Sequence, residues 1–329
     1  MMPLARGGNN RLFRVTSSTG ERFALKGYGA APGMAPASPP DAPGDTSSPP
    51  PKRDRQGPES SALTFFARQG LTRAPRLIAE DRTGGWALHQ WIDGEAISEP
   101  TPAEIDQALR WITELKAASR MEAATSLPWA SAAAPSPMAL IGQIEERLAR
   151  ILQIAPQEPS LARFLSREWL PRWQGQRERL TSASTTAGRN PETPLPREYL
   201  TLSPSDFGFH NALRRSDGEV VFLDYEYFGW DDPVKLTADF LLHPGMELAP
   251  PLKERFHHGI RRIFGADPDF DRRLATLAES YRLCWGLILL NEFLPEGWAR
   301  RARTARQTWE AAKQRQLEKA TLLLAREGW

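Results

Sequence analysis

"SPSDFGFHNAL", residues 203–213, holds an acid, Asp206, and an amide, Asn211, five positions apart in a loop-like sequence containing Gly and Phe. "VFLDYEYFGWDDP", residues 221–233, follows with a second acid, Asp224, at the end of an apolar run. Between them Asp217-Gly218 is a tight-turn signal, so "NALRRSDGEVVFLDY" reads as a β-hairpin. An acid, an amide and an acid in this order are one way of holding magnesium beside a reacting hydroxyl.

Upstream, "RLFRVTSSTGERFALKGY", residues 11–28, reads as two strands about a Thr-Gly turn. Alternation puts Ala24, Lys26 and Tyr28 on one face and Phe23 and Leu25 on the other. "RGGNNR", residues 6–11, precedes the first strand, and its glycines allow close backbone approach to a phosphate. Little chain lies ahead of that loop, leaving room for only a short strand.

Residues 27–58 are dense in Pro, Gly, Ala and Ser, with Met34 the only large aliphatic side chain. Such a segment buries too little apolar surface to offset its ordering entropy and is expected to be a flexible insertion. "PESSALTFFARQG", residues 58–70, reads as a helix with Pro58 near its start and Gly70 at its end, and "PRLIAEDRTGGWALHQW" as a second hairpin.

From residue 101 the texture is helical. Thr101, Pro102 and Glu104 form a capping-box signature, and Ile105, Leu109, Ile112 and Leu115 fall on one face. Further helices are expected near 137–154, near 160–181 and several from 251 onward, with a polar loop at 181–198. The single Cys284 sits in an apolar helical stretch and reads as core.

Phosphoryl transfer to a hydroxyl needs a cation on the phosphates, backbone N–H groups around them, hard oxygen ligands for magnesium and a carboxylate at the hydroxyl. Lys26, the "RGGNNR" loop, Asn211 with Asp224, and Asp206 are candidates for these four parts.

"GGNNRLFRV", "FALK", "DFGFHN" and "FLDYEYFGWDDP" resemble, in that order, the motifs of the aminoglycoside phosphotransferase and choline kinase superfamily. The resemblance covers almost the whole chain in element order, apart from the Pro-rich insertion. It implies an α+β, protein-kinase-like bilobal fold, with a small β-rich N-lobe carrying one helix and a larger, mainly helical C-lobe. The expected boundary places the nucleotide-binding N-lobe at 1–94, including the insertion, and the C-lobe at 95–329.

It further implies ATP and Mg²⁺ as cofactors, Asp206 as catalytic base, and Asn211 and Asp224 as metal ligands. Gly7, Gly8 and Asn9 match the phosphate loop, Lys26 the phosphate-contacting lysine and Ala24 the small residue above the adenine. Glu59 is the implied ion-pair partner of Lys26, and the backbone of Gln90, Trp91 and Ile92 the edge that meets the adenine. Two departures stand out. Pro204 and Ser205 occupy the positions where the family usually has His-Gly before the base, and Lys235 lies near where relatives carry an acid.

The expected activity is transfer of the γ-phosphate to a hydroxyl of a small molecule such as a sugar, amino alcohol or aminoglycoside. The competing reading is a pseudokinase-like binding or scaffolding protein on the same fold. A net charge of +2 makes no demand for nucleic acid. No apolar run approaches the span of about 20 residues that a membrane helix requires. A soluble, cytoplasmic protein with a small-molecule partner is the expectation.

Overall fold

The computed structural model describes residues 2–4, 10–28, 54–186, 190–301, 307–326 and 328. Five strands form an antiparallel sheet: β1 (Met2–Pro3), β2 (Arg11–Thr16), β3 (Arg22–Gly27), β4 (Leu77–Asp81) and β5 (Trp86–Gln90), in the order β1-β2-β3-β5-β4. Its two tight turns use glycine where the chain needs a left-handed conformation, Gly20 at φ +88° and Gly85 at φ +71°. Helix α1 (Gln56–Arg68) starts earlier than the sequence suggested, so Gln56 and Gly57 belong to the helix rather than to the Pro-rich insertion. Residues 29–53 of that insertion lie outside the described residues.

The chain then passes through β6 (Glu95–Ala96) into α2 (Pro102–Ala118). Glu104 closes the start of α2 by accepting from the Thr101 N–H at 2.7 Å, and also pairs with Arg214. Helix α3 (Pro137–Ile154) follows, capped by the Ser136 hydroxyl. Next come α4 (Pro159–Phe164), a π-helical segment at Leu165–Trp169, and α5 (Leu170–Thr186). This helical stretch runs past residue 181, so the polar loop begins later than expected.

Strands β7 (Thr201–Ser203), β8 (Ala212–Arg214), β9 (Val220–Phe222) and β10 (Gly229–Asp231) frame the two motif loops. β8 and β9 make the expected hairpin, with Gly218 at φ +84°. Helix α6 (Pro233–Leu242) comes next, then α7 (Pro250–Phe264), α8 (Phe270–Leu289), α9 (Pro295–Arg301) and α10 (Trp309–Ala325).

The core fixes how α1 sits on the helical part. Phe66 of α1 meets Trp111 of α2, Tyr225 and Phe228 edge-on, with ring centroids 5.2, 5.0 and 5.1 Å away. All four rings are buried, so the helix that carries Glu59 is anchored to the loop that carries Asp224.

Gly229 shows how tightly the frame closes. A Cβ there would overlap the backbone of residues 128–130, which bonds β10 through Trp230 N–H to the Pro128 carbonyl at 2.9 Å. Gly229→Ala is expected to cost about 1–3 kcal/mol through forced backbone shifts, read as a lowered urea midpoint.

Candidate active site

Lys26 lies on β3 and is 7% exposed. Its Nζ donates to Glu59 Oε2 at 2.6 Å and to the Asp224 carboxylate, and sits 3.7 Å from Glu226 Oε2. Glu59 also accepts from the Tyr28 hydroxyl at 2.7 Å and from the Tyr225 N–H at 3.3 Å. One buried carboxylate thus ties the sheet, α1 and the Asp224 loop together. Burial works against the Lys26 ammonium, but Glu59, Asp224 and Glu226 outweigh it and hold the charge on. Burial likewise opposes ionisation of Glu59, and Lys26 outweighs it, so the Glu59 pKa falls below its ordinary value.

Asp224 follows β9 in the left-handed region, at φ +68°, an uncommon conformation for a non-glycine residue and a frequent companion of functional loops. Burial pushes its carboxyl up to about 6; Glu59 and Glu226 push the same way, against Lys26. Three carboxylates, Glu59, Asp224 and Glu226, therefore surround Lys26, with Arg55 3.7 Å from Glu226 as a second cation. Asn10 donates to Glu226 at 2.5 Å, while its own Oδ1 is buried without a partner among the described residues. An excess of hard oxygen and negative charge fits a divalent cation. Glu226, two residues past Asp224, is brought inside this cluster by the fold.

Asn211 and Asp206 complete the arrangement from the neighbouring loop. Asn211 Nδ2 donates to the Asp206 carbonyl at 3.0 Å, and the Leu223 N–H donates to the Asn211 carbonyl at 2.7 Å. These two bonds stitch the Asp206 loop to the residue before Asp224 and occupy the amide nitrogen of Asn211 rather than its oxygen. Ser205, at φ +66°, turns the chain into Asp206.

The Asp206 carboxylate is half-buried and faces two imidazoles. His210 Nε2 lies 3.0 Å from its Oδ1 and His243 Nε2 3.5 Å from the same oxygen. Burial opposes ionisation of Asp206, but the His210 hydrogen bond and the charges nearby outweigh it and hold the carboxyl below its usual range. His210 thus ties the Asp206 side chain back to its own loop. His243 carried no functional signal in the sequence, because only the tertiary fold brings the end of α6 to Asp206.

Other expected site residues lie further along the sheet. Ala24 faces His89 across β3 and β5, and Gln90 closes β5 with its N–H on the Arg76 carbonyl at 2.8 Å. Trp91 and Ile92 are half-buried in the segment leaving β5, and Trp91 Nε1 donates to Asp93 at 3.0 Å. Gly7, Gly8 and Asn9 lie outside the described residues. Asp232 serves the fold: it caps α6 through the Val234 N–H at 2.9 Å and pairs with Arg273. Lys235 is neutralised by Asp239 at 2.6 Å and Asp231 at 3.4 Å.

No protein-family model matches the sequence, and no curated protein does. Solved structures do match in shape. A choline/ethanolamine kinase family protein from Mesorhizobium loti aligns with a TM-score of 0.59 at 17% identity, over 99% of this chain and 89% of that one. A spectinomycin phosphotransferase, solved with ADP and spectinomycin, aligns with a TM-score of 0.58 at 12% identity, over 98% of this chain and 92% of that one. An aminoglycoside phosphotransferase from Alicyclobacillus acidocaldarius gives 0.53 at 15% identity, over 99% and 90%.

The chain has the fold of these kinases. The α+β, protein-kinase-like architecture and the likeness read from the ordered motifs are borne out at the level of fold. Among the described residues, no helix is long and apolar enough to cross a membrane.

Proposed function

We propose that this chain is an ATP- and Mg²⁺-dependent phosphotransferase acting on a hydroxyl of a small molecule such as a sugar, amino alcohol or aminoglycoside. The observation that carries the reading is Lys26, which is paired with Glu59 and bonded across to Asp224, with Asp206 and Asn211 stitched to the residue beside Asp224. The neighbour solved with ADP and spectinomycin is a protein of this fold that takes a nucleotide and a small acceptor.

In this reading Asn211 and Asp224 would hold the cation. Magnesium, when bound, neutralises the phosphate charge that shifts during transfer. Lys26 supplies a fixed positive charge to the phosphates and is oriented by Glu59. Ala24 and the backbone of residues 90–92 would border the base. Asp206 orients the acceptor hydroxyl and takes its proton as the bond to the departing ADP loosens. Positioning and fixed charge do most of the work.

Release of ADP from Mg-ATP, scored over a panel of sugars, amino alcohols and aminoglycosides, tests the reading. Acceptor-dependent release is the expected result, and a panel-wide blank alongside intact nucleotide binding would contradict catalysis.

A pH dependence follows from Asp224. A carboxyl raised to about 6 keeps its proton in the fold until pH passes that value, while a cation needs the ionised form. Magnesium-dependent stabilisation by ATP is therefore expected to be full near pH 7.5 and to shrink as pH falls through about 6. At about pH 5 the affinity should be roughly tenfold lower. Titration calorimetry at the two pH values reads the difference, and equal affinities would count against Asp224 as the ligand.

A further inference from the structure

We infer that His243, stacked on His210, is a positioning residue that holds the Asp206 carboxylate in its productive orientation, an inference that rests on the phosphotransferase reading above. The two residues before Asp206 offer it no side-chain donor. Pro204 has none, and the Ser205 hydroxyl is directed at the Ser131 carbonyl, 3.5 Å away. The donors come instead from His210 in the same loop and from His243 at the end of α6.

The tautomer of His243 follows from its surroundings. The Gly245 N–H donates to His243 Nδ1 at 3.0 Å, so Nδ1 carries the lone pair and Nε2 the proton. Burial and the neighbouring His210 push its pKa down to about 4, which leaves the ring neutral at physiological pH with one N–H, on the nitrogen facing Asp206. That contact is long at 3.5 Å, and catalytic hydrogen bonds commonly tighten when substrate binds. Both imidazoles address Oδ1, so Oδ2 is left for the acceptor hydroxyl.

The ring is gripped on several sides. The His210 ring lies parallel to it, with centroids 3.7 Å apart and planes 3° apart. Trp285 stands edge-on at 4.8 Å and is itself held by donating to Asp239 at 3.1 Å. Asp239 in turn pairs with Lys235. A Cβ on Gly245 would come within 3.0 Å of His243 Cε1 and 3.1 Å of Nδ1, so a side chain there would press on the ring.

The same tautomer argues against a transition-metal site. The donor atoms of Asp206, His210 and His243 lie within 4.8 Å of one another, but a metal would need the Nε2 lone pair that Gly245 assigns to Nδ1. For a loose phosphoryl-transfer transition state, orientation of the carboxylate matters more than its basicity.

Two readouts test the inference. Side-chain ¹⁵N spectra at neutral pH should show His243 protonated at Nε2, and an Nδ1-protonated ring would overturn the assignment. In ADP-release kinetics, His243→Leu should lower kcat by about ten- to a hundredfold while KM for ATP and the melting shift with Mg-ATP stay unchanged. His243→Gln, whose amide can donate to the same oxygen, should recover most of the loss. Gly245→Ala, which keeps the imidazole but crowds it, should lower kcat in the same way. An unchanged kcat in His243→Leu, or a Gln variant as poor as the Leu variant, would overturn the positioning role. If wild-type protein shows no Mg-ATP shift, the phosphotransferase reading itself has failed; if the shift is present and kcat ignores His243, only this inference has.

Discussion

Asp206→Ala is expected to lower the turnover of acceptor-dependent ADP release by about a hundred- to ten-thousandfold, the usual contribution of a positioned acid–base group. Nucleotide binding should survive, because Lys26, Glu59, Asn211 and Asp224 stay in place. The Asp206 carboxylate faces His210 and His243, and the bond that stitches its loop to Asn211 uses its main-chain carbonyl. Asp206→Asn, nearly the same in shape, should be comparably slow, which separates loss of the proton acceptor from loss of packing. Turnover within a few fold of wild type in either variant would remove Asp206 from the mechanism.

The second large effect concerns Lys26. Its ammonium is buried among Glu59, Asp224 and Glu226, and Glu59 is 2% exposed. Lys26→Met therefore abandons buried charge, and breaking such a pair by removing one partner costs about 3–5 kcal/mol. The sign of the pH dependence follows. Lys26 holds Glu59 below its ordinary pKa in the folded state, so the pair's contribution is present at neutral pH and is lost as pH falls through the folded value. Without Lys26 the stranded carboxyls take up protons at higher pH, so the penalty of the variant should shrink between about pH 7 and pH 5. Adding Glu59→Gln should restore part of the stability but none of the turnover, a non-additivity that a double-mutant cycle measures. Urea denaturation of the four proteins at both pH values checks this, and strictly additive losses would contradict the coupling.

Much of the fold was legible because its local rules agree with one another. The Thr-Gly and Asp-Gly turns, the alternating strands and the Thr101–Glu104 capping box each point to the element that forms. Helix α6 was not legible. All ten of its residues are buried, so it has no solvent-facing side to read. The start of α1 was obscured by the Gly and Pro at positions 57 and 58, which look like a continuing loop until Gln56 is seen bonding to the Trp86 carbonyl at 3.0 Å.

Within the candidate site, Lys26, Asn211, Asp206 and Asp224 could be named because each sits in a short ordered motif, and Glu59 from its place near the start of the helix after the lysine strand. Glu226 and His243 could not. Glu226 earns its place through Asn10 and Arg55, and His243 through the stack with His210, contacts that only the folded chain creates. Their sequence neighbours, "DYEYF" and "LLHPG", state nothing about them.

The most direct test of the central claim is the melting temperature of the wild type and of Asp224→Ala with Mg-ATP, and with ATP plus a chelator. At about a hundred times its Kd, a ligand bound only by the folded state stabilises it by roughly 2.7 kcal/mol. A magnesium-dependent upward shift in the wild type that vanishes in Asp224→Ala is the predicted result. No shift in folded wild-type protein at millimolar Mg-ATP would contradict it and favour a binding or scaffolding role on the same fold.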